Sequence, residues 1–164
     1  MAVAGLAGAL PSLVEALERR LRTHLETSVQ VLEHLAEERV PEAVDLLVRW
    51  GSDELREGRI EDARAVAVSA TALAERSRDR LRTLDAHLLS ARVHRALGRL
   101  RQAEVDYETV LRVALAAKDG ERALTAAVGL GNLAVDRGTW SEAERRYDRA
   151  ETFLDALDGP RAER

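Results

Sequence analysis

A short phrase recurs three times along the chain at a constant step. Each copy places a glycine five residues before an alanine, and consecutive copies lie 40 residues apart. A fixed period in the range of about 20 to 50 residues is typical of repeat proteins, in which each unit buries its apolar face only against its neighbours. This period constrains the fold more than any other feature of the sequence. The copies are Gly58 with Ala63, Gly98 with Ala103, and Gly138 with Ala143.

The residues around these glycines predict α-helices joined by short connections. Ala, Leu, Arg and Glu dominate the chain and all favour helix, whereas aromatic residues make up only 3%. A glycine follows the first helix of each pair, where a left-handed backbone conformation favours it. Thr139 and Glu142 predict a capping box that begins the last helix. Helices are expected at 41–57, 60–77, 80–97, 100–117, 121–137 and 140–157.

The N-terminal quarter of the chain matches the repeat poorly. Residues 1–11 are expected to form a flexible tail. In residues 12–39 the apolar side chains are spaced by threes and fours, which predicts one long amphipathic helix. We expect this helix to cap the repeats or to form a dimer, with a degenerate repeat as the alternative. The rest divides into helix pairs at 41–77, 80–117 and 121–157, followed by a C-terminal tail at 158–164.

The pattern resembles the tetratricopeptide repeat (TPR) family, in its variety with long helices. The step of 40 residues exceeds the family's usual step of about 34. The resemblance implies an all-α, right-handed solenoid of helix-turn-helix repeats that binds partner segments in a groove formed by the first helices of the pairs. This variety is found in kinesin light chains and in regions attached to bacterial transcription regulators and signalling ATPases, so bacterial regulation is one role that the resemblance implies. The best copy is Leu130-Gly131, Ala134, Gly138, Ala143, Tyr147 and Ala150.

The family's groove positions have a basic centre here, although the whole chain has a net charge of -4. Arginine side chains could bind the carboxylates of a partner with their forked guanidinium groups, and Asn132 could hydrogen-bond its backbone. Ordinary solvated helix faces are the alternative interpretation. The resemblance therefore implies a groove for a protein or peptide, with an acidic one favoured, formed by Arg56, Leu88, Arg92, Arg95, Asn132, Val135 and Asp136.

The last helix carries an apolar stripe that no later predicted helix covers. Full burial of such side chains contributes about 1.5 to 3 kcal/mol each. A twofold homodimer would cover the stripe, and the alternatives are a longer solenoid or a stripe that stays partly hydrated. The predicted self-association residues are Tyr147, Phe153, Leu154 and Leu157.

Composition and motifs argue against other functions. The net negative charge gives no reason to expect a nucleic acid or a membrane as partner. The absence of cysteine excludes disulfides and thiolate metal sites. His87 and His94 could share a helix face, but no metal or catalytic spacing is present. The sequence thus predicts a cytoplasmic, non-catalytic adaptor without metal or cofactor. The alternatives are a homo-oligomerisation module and a regulatory sensor for a peptide or small molecule.

Overall fold

The computed structural model describes residues 39–158, with side chains to residue 153. This part of the chain contains six α-helices and no β-strand. Each helix begins and ends within one residue of its expected position, and the predicted all-α class is confirmed. The helices are α1 (Val40–Arg56), α2 (Ile60–Ser77), α3 (Arg80–Ala96), α4 (Leu100–Ala117), α5 (Gly120–Asp136) and α6 (Trp140–Asp158).

Several expectations fall on residues outside this description. They are the N-terminal tail at 1–11, the predicted helix 12–39 up to residue 38, and the C-terminal tail from residue 159. The side chains of Leu154 and Leu157 also lie outside the described residues, although the backbone of α6 includes both positions.

Consecutive helices pack against each other throughout the described chain. The first helices of successive pairs also touch, since α1 contacts α3 and α3 contacts α5. The helices α1, α3 and α5 therefore form one continuous surface, which we call the odd-helix surface. This packing of neighbour on neighbour agrees with a helical solenoid.

The three glycine corners have the same geometry. Gly58, Gly98 and Gly138 have φ angles of 77°, 70° and 73°, in the left-handed region that glycine adopts without strain. Each glycine amide donates to the carbonyl three residues earlier, and the following amide donates to the carbonyl five residues earlier, at 2.8 to 3.1 Å. These bonds satisfy carbonyls at the end of the preceding helix. The recurring phrase thus encodes one turn, used three times.

Small residues allow the helices to approach closely. Tyr107 is buried with its ring against Gly129, and the ring of Tyr147 lies against Gly131. A Cβ atom at either glycine would overlap the ring that it faces, so these two positions need glycine for space rather than for backbone freedom. The alanines that end the recurring phrase are at most 3% exposed: Ala63, Ala103 and Ala143.

The start of α6 differs from the predicted capping box. The Thr139 hydroxyl donates to the carbonyl of Ala134, at 3.0 Å, in the preceding helix. The Glu142 carboxylate accepts from Arg146, at 3.1 Å. The two side chains therefore have other partners than the backbone amides that a capping box would give them.

Candidate functional site

Two arginines join successive helix pairs across the odd-helix surface. Arg82 of α3 binds the carboxylate of Asp45 of α1 through Nε and Nη2, at 3.0 and 2.8 Å. Arg122 of α5 binds Asp85 of α3 through the same two nitrogens, at 2.8 and 2.7 Å. The partners are 37 residues apart in both cases. These two bidentate ion pairs repeat with the 40-residue step. Each of them uses an aspartate of the odd-helix surface to join one helix pair to the next.

Each of these arginines also binds the aspartate that precedes its own helix. The Asp79 carboxylate accepts from the backbone amides of Leu81 and Arg82, and it binds Arg82 Nη1 at 2.6 Å. The backbone amide and the guanidinium of Arg82 hold the pKa of Asp79 below its usual value. Asp119 caps α5 and binds Arg122 in the same way. This motif places an aspartate three residues before an arginine, at 79–82 and again at 119–122. It was not predicted, although its 40-residue recurrence is visible in the sequence.

The predicted basic centre of the groove is partly neutralised by ion pairs. Arg95 binds Asp136 through Nε and Nη2, at 2.6 and 3.1 Å, and this contact holds the pKa of Asp136 below its usual value. Arg56 binds Asp53 on its own helix at 2.7 Å, and both side chains are largely exposed. Two of the three predicted arginines therefore already have carboxylate partners within the chain.

Arg92 is the exception among the three. Its side chain is exposed, and no hydrogen bond or ion pair joins it to any residue within the described range. Together with Arg95, Gly98 and Asp136 it lines a cavity of about 490 Å³, which is also lined by Ala96 and Leu100. This cavity extends from the end of α3 to the start of α4 and the end of α5.

The remaining predicted groove residues differ in exposure. Leu88 is buried in the core and contributes to packing. Asn132 and Val135 are partly exposed on α5. The Oδ1 atom of Asn132 accepts a hydrogen bond from the Tyr147 hydroxyl at 2.7 Å, so its amide nitrogen keeps its two donors for other partners.

The predicted self-association stripe on α6 is partly covered within the chain. Tyr147 keeps 37% of its surface exposed while its ring packs on Gly131. Phe153 packs against the core and is partly buried. Trp140, at the start of α6, is 69% exposed, the highest value among the exposed large apolar side chains of the described residues. Self-association through α6 stays a prediction.

A second polar cluster lies between α3 and α4. Nδ1 of His94 is 2.9 Å from one carboxylate oxygen of Asp106, and Nδ1 of His87 is 3.5 Å from the other. The longer contact is an ion-pair distance rather than a hydrogen bond, and His87 Nδ1 is buried without a hydrogen-bond partner among the described residues. The carboxylate of Asp106 raises the pKa of His87 above its ordinary value.

The two histidines do share a helix face, as their spacing allows, and their acidic partner is Asp106. In the described part of the chain no group of His, Asp and Glu side chains has the arrangement of a metal site.

Comparisons with known protein families, curated proteins and solved structures find no significant match to this chain. The fold itself defines the class: an all-α array of six helices in which consecutive helices pack, as in helical repeat proteins. Within residues 39–158, no helix is both long and apolar enough to cross a bilayer.

Proposed function

We propose that the protein is a non-catalytic interaction scaffold, a right-handed solenoid of TPR type, which binds an acidic partner segment on the odd-helix surface. The observation that carries this proposal is the unpaired guanidinium of Arg92 beside the cavity of about 490 Å³. The other two arginines of the predicted groove, Arg56 and Arg95, already bind carboxylates of the chain. A ligand carboxylate would give Arg92 the partner that the chain does not supply.

The dimensions of the surface favour a short extended segment. Neighbouring helices pack about 8 to 10 Å apart, so α1 to α5 spans about 18 Å. An extended chain covers about 3.3 Å per residue, and about five or six residues would cross the surface. The exposed side chain of Val128 and the amide of Asn132 lie on α5 beside this path. They would offer an apolar contact and a backbone hydrogen bond next to the charge on Arg92.

Peptide display tests the proposal without a known partner. The protein is panned against a random peptide library, and the selected peptides are titrated against wild type, Arg92→Glu and Arg112→Glu. Arg112 is an exposed arginine of α4, outside the odd-helix surface, and is the matched control. We expect Asp- or Glu-rich peptides whose affinity falls at least about tenfold in Arg92→Glu and stays unchanged in Arg112→Glu. Equal affinity for all three proteins would remove Arg92 from the site.

Self-association is a second candidate function, favoured by the exposure of Trp140. A second copy packed on α6 would cover this side chain. Light scattering after size-exclusion chromatography would give twice the chain mass for wild type and the single mass for Trp140→Ser. A single mass for wild type at about 100 μM would exclude a dimer of useful stability.

A further inference from the structure

A cavity of about 340 Å³ lies between α2, α3 and α4. Its volume is at the lower end of the range for small-molecule sites. Apolar side chains from α2 and α3 form part of the wall, including Ala67, Ala72 and Val93. The polar lining comes from all three helices: Arg64, Thr71 and Glu75 of α2, His87, Ser90 and His94 of α3, and Asp106 of α4.

The side chains of His87 and Asp106 are not a requirement of the repeat. Successive pairs are related by the 40-residue step, so the neighbouring pairs show what the fold alone needs at each position. At the positions that correspond to His87 and Asp106, the first helix pair has buried apolar side chains. Neither the first nor the third helix pair has a carboxylate at these positions. The corresponding residues are Leu47 and Ala127 for His87, and Val66 and Arg146 for Asp106.

The cavity lies away from the odd-helix surface. In an α-helix of 3.6 residues per turn, Arg92 is roughly 140° to 160° around α3 from His87 and His94. The odd-helix surface and this cavity therefore use different sides of α3, and a ligand in one would not contact the other.

The hydroxyl groups of the cavity offer acceptors. The Thr71 hydroxyl donates to the carbonyl of Ala67 at 3.0 Å. Since a hydroxyl has only one proton to donate, the 3.1 Å contact between the Thr71 and Ser90 oxygens uses the proton of Ser90. Both protons are thereby committed, and only lone pairs remain for a ligand.

Most of the titratable groups that face the cavity are also hydrogen-bond acceptors. Asp106 and Glu75 are carboxylates, and His94, which donates from Nδ1 to Asp106, presents an acceptor at its second nitrogen when it is neutral. The one cation of the lining, Arg64, binds Glu61 on its own helix at 2.7 Å. With neutral histidines the surroundings carry excess negative charge, and their free donors are limited to the guanidinium of Arg64 and the single N–H of His87.

We infer that this cavity binds a small organic cation with several N–H donors, an amine or an amidine, whose charge is met by Asp106 and Glu75. The ligand's N–H groups would use the lone pairs of the carboxylates and of the Thr71 and Ser90 hydroxyls, and its apolar part would lie on the alanines and Val93. Protonation of His87 neutralises Asp106, so proton uptake opposes cation binding.

Benzamidine and its uncharged isostere benzamide are the probes for this site. Each is titrated into the ¹⁵N-labelled protein at about pH 8.5, where free imidazole is neutral, and amide shifts are mapped by NMR. We expect benzamidine to shift amides of α2, α3 and α4 around the cavity and to bind at least about tenfold more tightly than benzamide. Its affinity should fall on going to about pH 6. Equal binding of the two probes, shifts elsewhere, or no binding at about 10 mM would overturn the inference.

Two variants of the lining, Asp106→Asn and Ala72→Leu, test the site itself, and two variants elsewhere serve as controls. Asp106→Asn keeps the shape of the side chain and should weaken benzamidine at least about tenfold, whereas Asp148→Asn, an exposed aspartate of α6, should leave it unchanged. If Asp106→Asn fails to fold, Ala72→Leu fills the cavity from an exposed position and should block binding. Unaltered affinity in the folded Asp106→Asn protein or in Ala72→Leu contradicts the site. Arg92→Glu should bind benzamidine as wild type does, which separates this site from the odd-helix surface.

Discussion

The bidentate pair between Asp85 and Arg122 should stabilise the contact between the second and third helix pairs measurably. Exposed ion pairs contribute about 0 to 1 kcal/mol, and hydrogen bonds to charged groups about 1.5 to 3 kcal/mol. Here two bonds of 2.8 and 2.7 Å join side chains that are 22% and 31% exposed. We therefore expect a coupling energy of about 1 to 1.5 kcal/mol, between the two ranges.

A double-mutant cycle measures this coupling. Urea unfolding of wild type, Asp85→Ala, Arg122→Ala and the double variant isolates the pair, because the contact of Arg122 with Asp119 is lost in both arginine variants and cancels. The matched control is the cycle on Glu61 and Arg64, which form an exposed pair within one helix and should give only about 0.3 to 0.5 kcal/mol. A coupling of Asp85 with Arg122 no larger than that of the control would refute the view that these pairs hold the array together.

Three further perturbations follow from single contacts. Gly129→Ala should destabilise the protein by about 1 to 2 kcal/mol, because the added methyl overlaps the buried Tyr107 ring and this outweighs the gain in helix propensity of about 1 kcal/mol; an unchanged urea midpoint would contradict this. Lys118→Gly should stabilise by about 0.5 kcal/mol, since Lys118 has a φ of 57°; a lower midpoint would argue against strain there. Asp106 raises the pKa of His87 above 6.5 in the folded protein. The contribution of this interaction to the free energy of unfolding is therefore complete below pH 6.5 and is lost as pH rises through the raised pKa. The stability difference between wild type and His87→Gln should therefore shrink with rising pH, and a growing difference would be the wrong sign.

The elements that sequence analysis located depend on local properties. A glycine at a left-handed corner is required by the backbone angle at that residue, and an alanine at a helix crossing by the size of its own side chain. The structural roles of Gly58 and Ala63 can therefore be predicted without knowing which residues they contact, and the 40-residue recurrence supports both predictions. That is why all six helices begin and end within one residue of their predicted positions.

The polar contacts could not be predicted in the same way, because each depends on two residues on different helices. Arg95 looks like a free cation in the sequence, and only the packing of α3 on α5 brings it to Asp136, 41 residues away. Asp106 is similar, since its distance to His94 depends on how α3 and α4 cross. The sequence identifies charged residues, but the crossing of helices decides which of them remain unpaired.

Recurrence at the 40-residue step also distinguishes the arginines that stabilise the packing of the helix pairs from the arginine that is available to bind a partner. Arg82 and Arg122 recur at the 40-residue step and make the same bidentate contact, so we assign them to stability. Arg92 has Ser52 and Asn132 at the corresponding positions, so the fold does not need a charge there. We therefore expect Arg92→Ser to change the free energy of unfolding by less than about 0.5 kcal/mol and to weaken the binding of acidic peptides, though less than Arg92→Glu does.

Arg122→Ser should have the opposite pattern of effects: a loss of stability without a loss of peptide affinity. It should lower the free energy of unfolding by at least about 1 kcal/mol, while peptide affinity of the folded fraction remains that of wild type. Urea unfolding and peptide titration on the same two variants check both halves of the argument. If Arg92→Ser loses stability as Arg122→Ser does, Arg92 belongs to the array as well, and recurrence at the 40-residue step does not distinguish structural residues from binding residues in this protein.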